Sequence, residues 1–280
     1  MTTLRALWGS THPGPTLVVT ALSLALGIAT GLDAVRLALL VGSVFLGQLS
    51  VGLSNDAIDA GRDQAVGRTD KPIAAGVISA RLALGTAVST AAGALVLAGV
   101  LGFGMLAATA VFLAGAWAYN AGLKGTALSL VPFLISFGLF PSLATLSAPA
   151  PTLAPLWAGV AGAALGAAVH LTNVLPDLDD DQRTGVRGLP HRLGARVSAV
   201  LAVVGILAGA IAVLWGSSGG ELAAVSPLGW IFAALVLAAA VATGILALVR
   251  PPGRAVFRLV MLAALLLAAQ LVATGSALTP

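Results

Sequence analysis

The sequence contains no cysteine, and charged residues make up only 9% of its 280 residues. The lack of cysteine excludes disulfide bonds and thiolate metal sites. So low a charge content excludes an ordinary soluble domain, in which about 25% of the residues are charged. Hydrophobic residues make up 59% of the chain, a composition that indicates an integral membrane protein. The net charge of +4 is dispersed between apolar runs, which argues against a nucleic-acid partner and for the lipid bilayer.

Nine apolar stretches are long enough to cross a bilayer, which takes about twenty residues. They are centred on residues 17–31, 37–53, 82–101, 103–118, 127–146, 156–174, 197–215, 228–249 and 255–273. Alanine and the 34 glycines let helices pack closely where no hydrophobic force brings them together. We therefore predict an all-α integral membrane protein with nine transmembrane helices in a bundle, in which residues 1–280 form a single transmembrane domain.

The charged residues predict which side of the membrane each loop faces. With nine spans, thirteen of the 14 lysine and arginine residues fall on one side, and Arg36 falls on the other. Cytoplasmic loops are rich in lysine and arginine, so this side is predicted to be cytoplasmic. Most acidic residues fall there as well. We expect cytoplasmic cap loops that carry the reactive residues, in a bacterial plasma membrane.

One polar motif occurs twice. Residues 55–76 and 173–194 share the pattern N-x3-D-x3-D-x3-G-x4-P-x3-G, and all six positions keep the same offset along the chain. A constant offset over six positions predicts a duplicated unit, with copies at about 35–120 and 155–250. Four predicted spans separate the motifs, an even number, so the two copies should have the same orientation in the membrane, as in a parallel internal repeat.

Within each copy, one amide and two carboxylates follow at four-residue spacing, which places them on one face of a helix. The two sets are Asn55, Asp59 and Asp63, and Asn173, Asp177 and Asp181. Carboxylates stacked in this way repel each other unless a cation lies between them, and oxygen ligands of this kind suit Mg²⁺. Two such sets facing each other would hold a diphosphate through metal ions. The alternative is that these acids only keep the helix ends in water.

Basic residues follow both acid sets. They are Arg62, Arg68 and Lys71 after the first set, and Arg183 and Arg187 after the second. A guanidinium group pairs with two phosphate oxygens at once, so acids, metal and arginines together suit a diphosphate. Each arginine taken alone is equally well explained as a signal of membrane topology. A charged opening above an apolar interior favours an isoprenoid diphosphate over ATP or a sugar phosphate.

The histidines allow two interpretations. His170 lies three and seven residues before Asn173 and Asp177, so it should share their helix face. It could accept the proton that the substrate releases. The alternative is a neutral, buried histidine that is hydrogen-bonded between helices. His12 and His191 are predicted to be surface residues.

Taken together, these motifs resemble those of the UbiA-type intramembrane prenyltransferase superfamily. The resemblance is carried by the two acid motifs at the ends of the second and sixth spans. It is also carried by Gly185 and Leu189-Pro190-x3-Gly194 after the second motif, and by Tyr119-x4-Lys124 at the end of the fourth span. The similarity covers nearly the whole chain.

The resemblance implies a reaction and a set of site residues. It implies metal ligands, which hold two Mg²⁺ ions on a prenyl diphosphate, at Asn55, Asp59, Asp63, Asn173, Asp177 and Asp181. Together with the residue patterns described above, it leads us to assign catalysis to Asp59, Asp63, Asp177, Asp181 and Lys124, and substrate binding to Asn55, Asp56, Arg68, Lys71, Tyr119, His170, Asn173, Arg183 and Arg187. Ionisation of the diphosphate yields an allylic cation, which a lipophilic acceptor attacks, either an aromatic quinone precursor or an isoprenoid lipid.

Two other functions remain open at this stage. A terpene cyclase of the same superfamily would ionise the prenyl diphosphate and let the cation fold on itself without an acceptor. A transporter is the other alternative, since parallel repeats occur in transporters. The position of the acids at the membrane surface argues against a transporter, because the ion sites of such proteins lie near the midplane.

Two departures from the family pattern concern the substrates. Lys71-Pro72 stands where the family often has Arg-Pro, which keeps the charge but loses the bidentate geometry. The stretch Asn173-Val174-Leu175-Pro176 lacks the aspartate and aromatic residue that accompany 4-hydroxybenzoate in the family, which argues against that acceptor. The residues 189–194 are more similar to branches that serve naphthoquinones, chlorophylls or isoprenoid glycerolipids.

Overall fold

The computed structural model describes residues 2–175, 185–249, 254–274 and 277–278. These residues form helices, turns and loops, and they contain no β-strand. The α-helices are α1 (Thr3–Gly9), α2 (Pro13–Ala29), α3 (Ala34–Ala65), α4 (Ala80–Leu101), α5 (Phe103–Ala121), α6 (Val131–Leu146), α7 (Leu156–Asn173), α8 (Leu189–Leu193), α9 (Ala195–Ser217), α10 (Pro227–Val249) and α11 (Arg254–Ala273). Short 3-10 helices cover Leu123–Gly125 and Leu222–Ala224.

Each of the nine apolar stretches overlaps one long helix. In the described part of the chain, five helices are long and apolar enough to cross a membrane, namely α3, α4, α5, α9 and α10. Helices α1 and α2 meet at a bend of 71° and would add a sixth crossing if they form one broken span. The apolar parts of α6 and α11 are shorter. The prediction of an all-helical integral membrane protein is confirmed, and the count of nine transmembrane helices stays a prediction.

The chain forms two compact units. The first comprises Met1–Gly122 and Leu146–Pro151, and the second comprises Leu123–Thr145 and Thr152–Pro280. In the first unit α3 packs along α4 and contacts α2 and α5. In the second unit α7 packs along α9, while α10 and α11 contact each other and α9. Each unit contains one copy of the repeated motif, and the duplication itself stays a prediction.

Helices of the second unit approach each other at glycines. A Cβ atom on Gly162 of α7 would overlap the main-chain oxygen of Phe137. One on Gly166 would lie 2.6 Å from the main-chain oxygen of Phe133. The α7 backbone therefore rests directly on α6, because two glycines one turn apart leave no side chain between the helices. Close packing of this kind is expected where lipid surrounds the helices.

The corresponding glycines of the two motif copies all have a positive φ angle. Gly67 and Gly76 have φ angles of 71° and 72°, and their counterparts Gly185 and Gly194 have φ angles of 83° and 78°. A residue with a Cβ atom is strained in this left-handed region, whereas glycine is not. The repeat in sequence is thus accompanied by a positive φ at both pairs of positions.

Helix α3 presents the first acid motif. Its N-cap is Asp33, whose carboxylate accepts hydrogen bonds from the backbone N–H groups of Val35 and Arg36. The helix then runs for 32 residues to Ala65, past the end of the apolar stretch and through the whole motif. Asn55, Asp59 and Asp63 therefore lie on consecutive turns of one uninterrupted helix.

Candidate functional site

The first acid motif forms a buried polar face on α3. Asp56, Asp59 and Asp63 are 2%, 6% and 5% exposed, whereas the neighbouring Asn55 is half-buried. The three carboxylates follow at spacings of three and four residues, so they share a helix face. Buried carboxylates are stable only with polar or cationic partners. The basic residues of the same unit supply those partners.

Lys71 joins the two ends of this acid face. Its Nζ donates a hydrogen bond to Asp63 Oδ2 at 2.8 Å and lies 3.1 Å from Asp56 Oδ1. The four-residue spacing predicts a cation between stacked acids; the Lys71 ammonium lies between Asp63 of that set and Asp56, which is outside it. Burial favours the neutral amine, but the hydrogen bond to Asp63 and the charges of Asp56 and Asp63 outweigh it and raise the pKa of Lys71 above its ordinary value of 10.5. Lys71 is therefore charged at neutral pH.

The arginines after the motif also pair with acids. Arg62 Nη2 donates to Asp59 Oδ2 at 2.7 Å. Arg68 donates from Nε and Nη2 to the two carboxylate oxygens of Asp70, both at 2.9 Å. The hydrogen bond from Arg68 lowers the pKa of Asp70, against a smaller, opposite effect of burial. Arg68 is predicted to bind the diphosphate, and in this structure its Nε and Nη2 donate to Asp70.

Two polar side chains of α5 hold the adjoining turns of α3. Trp117 Nε1 donates to Ser50 Oγ at 3.0 Å, and Asn120 Nδ2 donates to Ser54 Oγ at 2.9 Å. Asn120 is buried beside the half-buried Tyr119, the predicted substrate residue. Asn120 was not among the residues predicted for the site. The available signal was a polar amide within an apolar span, where such residues are rare and usually have a specific partner.

In the second unit, Ser129 connects α7 with α8. Its Oγ lies 3.0 Å from His170 Nε2 and accepts a hydrogen bond from the backbone N–H of Leu189 at 2.9 Å. Both Ser129 and His170 are fully buried, and the His170 ring packs at 4.6 Å between centroids against Phe133. These contacts match the interpretation of His170 as a histidine hydrogen-bonded between structural elements. A role for His170 towards a substrate stays a prediction.

Lys124 belongs to the 3-10 turn that precedes Ser129, and its side chain is half-buried. The backbone of this turn lies against Gly188, where a Cβ atom would overlap the Lys124 main-chain oxygen and lie 3.1 Å from Ser129 Oγ. Gly188 has a φ of −64°, which any residue adopts. The position therefore requires glycine for lack of space and not for its conformational freedom.

Gly188→Ala is accordingly expected to destabilise the second unit. The added methyl group must displace the Lys124 turn or break the Leu189–Ser129 hydrogen bond, and overpacking of this kind costs about 1–3 kcal/mol. Gly61→Ala is the matched control, because a Cβ on Gly61 meets nothing within 4 Å. Thermal unfolding in detergent should separate the two variants. A Gly188→Ala variant as stable as Gly61→Ala would contradict the close packing.

The second acid motif is described only at its ends. Asn173 is the last residue of α7 and is exposed, and Arg187 is exposed before α8. Asp177, Asp181 and Arg183 lie outside the described residues. Within the residues that the structure describes, no group of three histidine or acidic side chains is arranged to hold a metal ion. The assignment of Mg²⁺ ligands therefore stays a prediction for both motifs.

Comparison with known families decides the classification. The model of the UbiA prenyltransferase family matches residues 16–266. The chain belongs to the UbiA prenyltransferase family. The resemblance inferred from the two acid motifs is thereby confirmed. No curated protein matches the chain.

Solved structures share the UbiA fold of this chain. A UbiA homologue from Aeropyrum pernix K1 has a TM-score of 0.74 at 17% identity, with 91% of this chain and 96% of that chain covered. A UbiA homologue from Archaeoglobus fulgidus bound to GPP and Mg²⁺ has a TM-score of 0.70 at 15% identity, with 97% and 99% covered. A structure of digeranylgeranylglyceryl phosphate synthase has a TM-score of 0.73 at 14% identity, with 98% and 99% covered. At these identities the likeness shows the fold.

Proposed function

We propose that this UbiA family member transfers a polyprenyl group from a prenyl diphosphate to a lipophilic acceptor inside the membrane, and that the reaction depends on Mg²⁺. The observation that carries the proposal is the buried acid face of α3, bridged by Lys71, in a chain of this family. The Archaeoglobus fulgidus homologue supports it, because structures of that protein contain GPP or DMAPP together with Mg²⁺. The acceptor would be an aromatic quinone precursor or an isoprenoid lipid.

The donor chemistry of α3 fits a hard divalent cation. Asn55, Asp59 and Asp63 offer amide and carboxylate oxygens, which Mg²⁺ prefers, and the carboxylates of Asp59 and Asp63 are buried on one helix face. We propose these three residues as Mg²⁺ ligands, with further ligands at Asn173, Asp177 and Asp181 for a total of two ions. Bound Mg²⁺ would supply positive charge for the departing diphosphate.

The basic residues would bind the diphosphate by exchanging partners. Lys71 now pairs with Asp56 and Asp63, and Arg68 pairs with Asp70. Phosphate oxygens would replace these carboxylates as acceptors, so each cation would remain paired before and after binding. We propose Lys124 as a further diphosphate contact. The charged residues would thus accept the negative charge that develops as the bond to the prenyl carbon breaks.

The remaining steps involve the prenyl group and the acceptor. The carbon–oxygen bond breaks with its electron pair going to the diphosphate, and an allylic cation remains. An electron pair of the acceptor forms the new bond to the prenyl carbon, and the acceptor then loses a proton. In the cyclase alternative, a double bond of the same chain supplies the electron pair. We further propose that the charged loops face the cytoplasm, in line with the distribution of lysine and arginine.

The test is pyrophosphate release by the full chain in nanodiscs that contain membrane lipid extract and an aromatic quinone precursor as acceptors and are supplied with geranyl, farnesyl or geranylgeranyl diphosphate. We expect pyrophosphate release with Mg²⁺ and recovery of release when Mg²⁺ is restored after chelation. With EDTA the rate should fall at least about 100-fold, which is the usual cost of losing charge stabilisation in the transition state. Mass spectrometry should find a prenylated lipid when membrane lipids are added. Hydrocarbon or alcohol products without an acceptor would indicate the cyclase. No pyrophosphate release from any of the three substrates would contradict the proposal.

A further inference from the structure

The residues between α1 and α2 form a tight corner against α3. Ser10 and Thr11 are buried in it. A Cβ atom on Gly52 of α3 would lie 2.7 Å from Thr11 Cα and would overlap the Thr11 carbonyl, so α3 has glycine at the point where the corner touches it. From α2, Thr16 Oγ1 donates a hydrogen bond to the Thr11 main-chain oxygen at 2.8 Å. The position of the corner relative to α3 is therefore closely determined.

His12 lies at the tip of this corner in an unusual backbone conformation. Its φ and ψ are 54° and 68°, and among the described residues it is the only non-glycine residue with a positive φ. Pro13 follows, and a proline disfavours the right-handed helical region for the residue before it. Strained conformations persist where the surrounding structure imposes them, and they are concentrated at functional sites.

The corner directs the His12 ring to the acid face of α3. His12 Nε2 lies 3.0 Å from Asp56 Oδ1, and Lys71 Nζ lies 3.1 Å from the same oxygen. The Asp56 side chain is 2% exposed, whereas the His12 side chain is 42% exposed. One buried carboxylate oxygen thus receives a donor from the corner and a second donor from the loop after α3. His12 was predicted to be a surface residue. Its side chain is partly exposed, but its Nε2 atom also contacts a buried carboxylate.

We propose that His12 is a positioning residue for Lys71. It would hold the Asp56 carboxylate in one orientation, and Asp56 together with Asp63 would hold the ammonium group at the acid face of α3. A lysine ammonium is a compact charge on a flexible chain, so its position depends on its partners. Without the His12 donor, the Asp56 carboxylate keeps only Lys71 and a longer contact from Asn55 Nδ2 at 3.5 Å, so its orientation, and with it that of the Lys71 ammonium, is less closely fixed. The inference rests on the proposed function, in which Lys71 binds the diphosphate.

Two substitutions at position 12 separate the side chain from the backbone. Asparagine tolerates the left-handed backbone conformation of position 12. Its side chain is shorter than that of histidine and does not reach the Asp56 carboxylate. Glutamine is longer and places an amide N–H near the position of Nε2. The probe is geranyl S-thiolodiphosphate, an unreactive analogue, with Mg²⁺. We expect His12→Asn to weaken binding roughly tenfold, as the loss of one charge-assisted hydrogen bond does. His12→Gln should restore most of the affinity.

Two controls distinguish positioning from a general loss of structure. Thr16→Val removes the hydrogen bond that closes the corner without touching Asp56, so it should lower the unfolding temperature and leave the affinity for the analogue unchanged. In the second control, His12→Asn is added to an Asp56→Asn variant. Because the proposed effect of His12 passes through Asp56, the second substitution should cause no further loss of affinity.

The outcomes separate this inference from the proposed function. Equal affinity of wild type and His12→Asn, additive losses in the double variant, or equal losses in the asparagine and glutamine variants would each overturn the role of His12. In these cases the wild type still binds the analogue and turns over prenyl diphosphates. A wild type that does not bind the analogue with Mg²⁺ would overturn the proposed function and this inference with it.

Discussion

Lys71→Met is expected to lower the free energy of unfolding by about 3–5 kcal/mol, the usual cost of removing one partner from a buried ion pair. The substitution leaves the carboxylates of Asp56 and Asp63, which are nearly inaccessible to solvent, without the ammonium group between them. It should also prevent tight binding of the diphosphate. Thermal unfolding in detergent measures the first effect, and binding of the thiolodiphosphate analogue with Mg²⁺ measures the second.

The direction of the Lys71 pKa shift determines the pH at which this loss of stability should be measured. Its pKa is raised by the two carboxylates, so its contribution to stability is fully present below the ordinary value of 10.5. That contribution is lost only as the pH rises through the higher pKa of the folded state. Measurements at neutral pH therefore include the whole effect.

Two companion variants control the Lys71 prediction. Lys71→Arg keeps the charge and should retain most of the stability. Adding Asp63→Asn to Lys71→Met removes a buried carboxylate charge that has lost its ammonium partner, so the double variant should be more stable than Lys71→Met alone. If Lys71→Met unfolds at the wild-type temperature, the ammonium group does not stabilise the acid face.

Asp63→Asn should instead act mainly on turnover. Asparagine has the same shape as aspartate but lacks its charge, so it is a poor ligand for Mg²⁺ and a weaker partner for Lys71. Replacing even an outer-shell partner of a metal ligand costs about 10–100-fold, and we expect a proposed ligand to cost at least about 100-fold. The loss of stability should be smaller than in Lys71→Met, because Lys71 keeps Asp56 as a partner.

The same substitution at the other end of α3 is the control. Asp33→Asn changes an exposed N-cap, and asparagine caps helices about as well as aspartate, so turnover should remain near the wild-type rate. Pyrophosphate release should be measured over a range of Mg²⁺ concentrations. Near-normal activity of Asp63→Asn at limiting Mg²⁺ would remove Asp63 from the proposed ligands.

The presence and order of the helices were predictable because they depend on local sequence. A long apolar run in a bilayer must satisfy its own backbone hydrogen bonds, and the helix is the simplest way to do so. Four-residue spacing correctly placed Asn55, Asp59 and Asp63 on one helix face. The end of α3 was less predictable from hydropathy, since the helix continues beyond the apolar stretch and through the motif to Ala65.

The partners of the acid face were not predictable in the same way. Sequence spacing showed that stacked carboxylates need a cation, but it did not identify Lys71 as that cation. The pairing of Arg68 with Asp70 was not anticipated either, because alternation of charge is compatible with several pairings. Ser129 gave no signal in the sequence, because a serine in an apolar stretch commonly bonds to its own helix.

The amino-acid sequence alone established a helical membrane protein of this family and the helix face that carries the first acid set. Periodicity, hydropathy and motif spacing are local properties, so they can be read without knowing how the helices pack. Tertiary packing determined which donors reach those acids, because His12 and Asp56 are 44 positions apart and meet only through a corner held by Gly52. Contacts of this kind depend on the relative placement of whole helices, and no pattern along the chain encodes them.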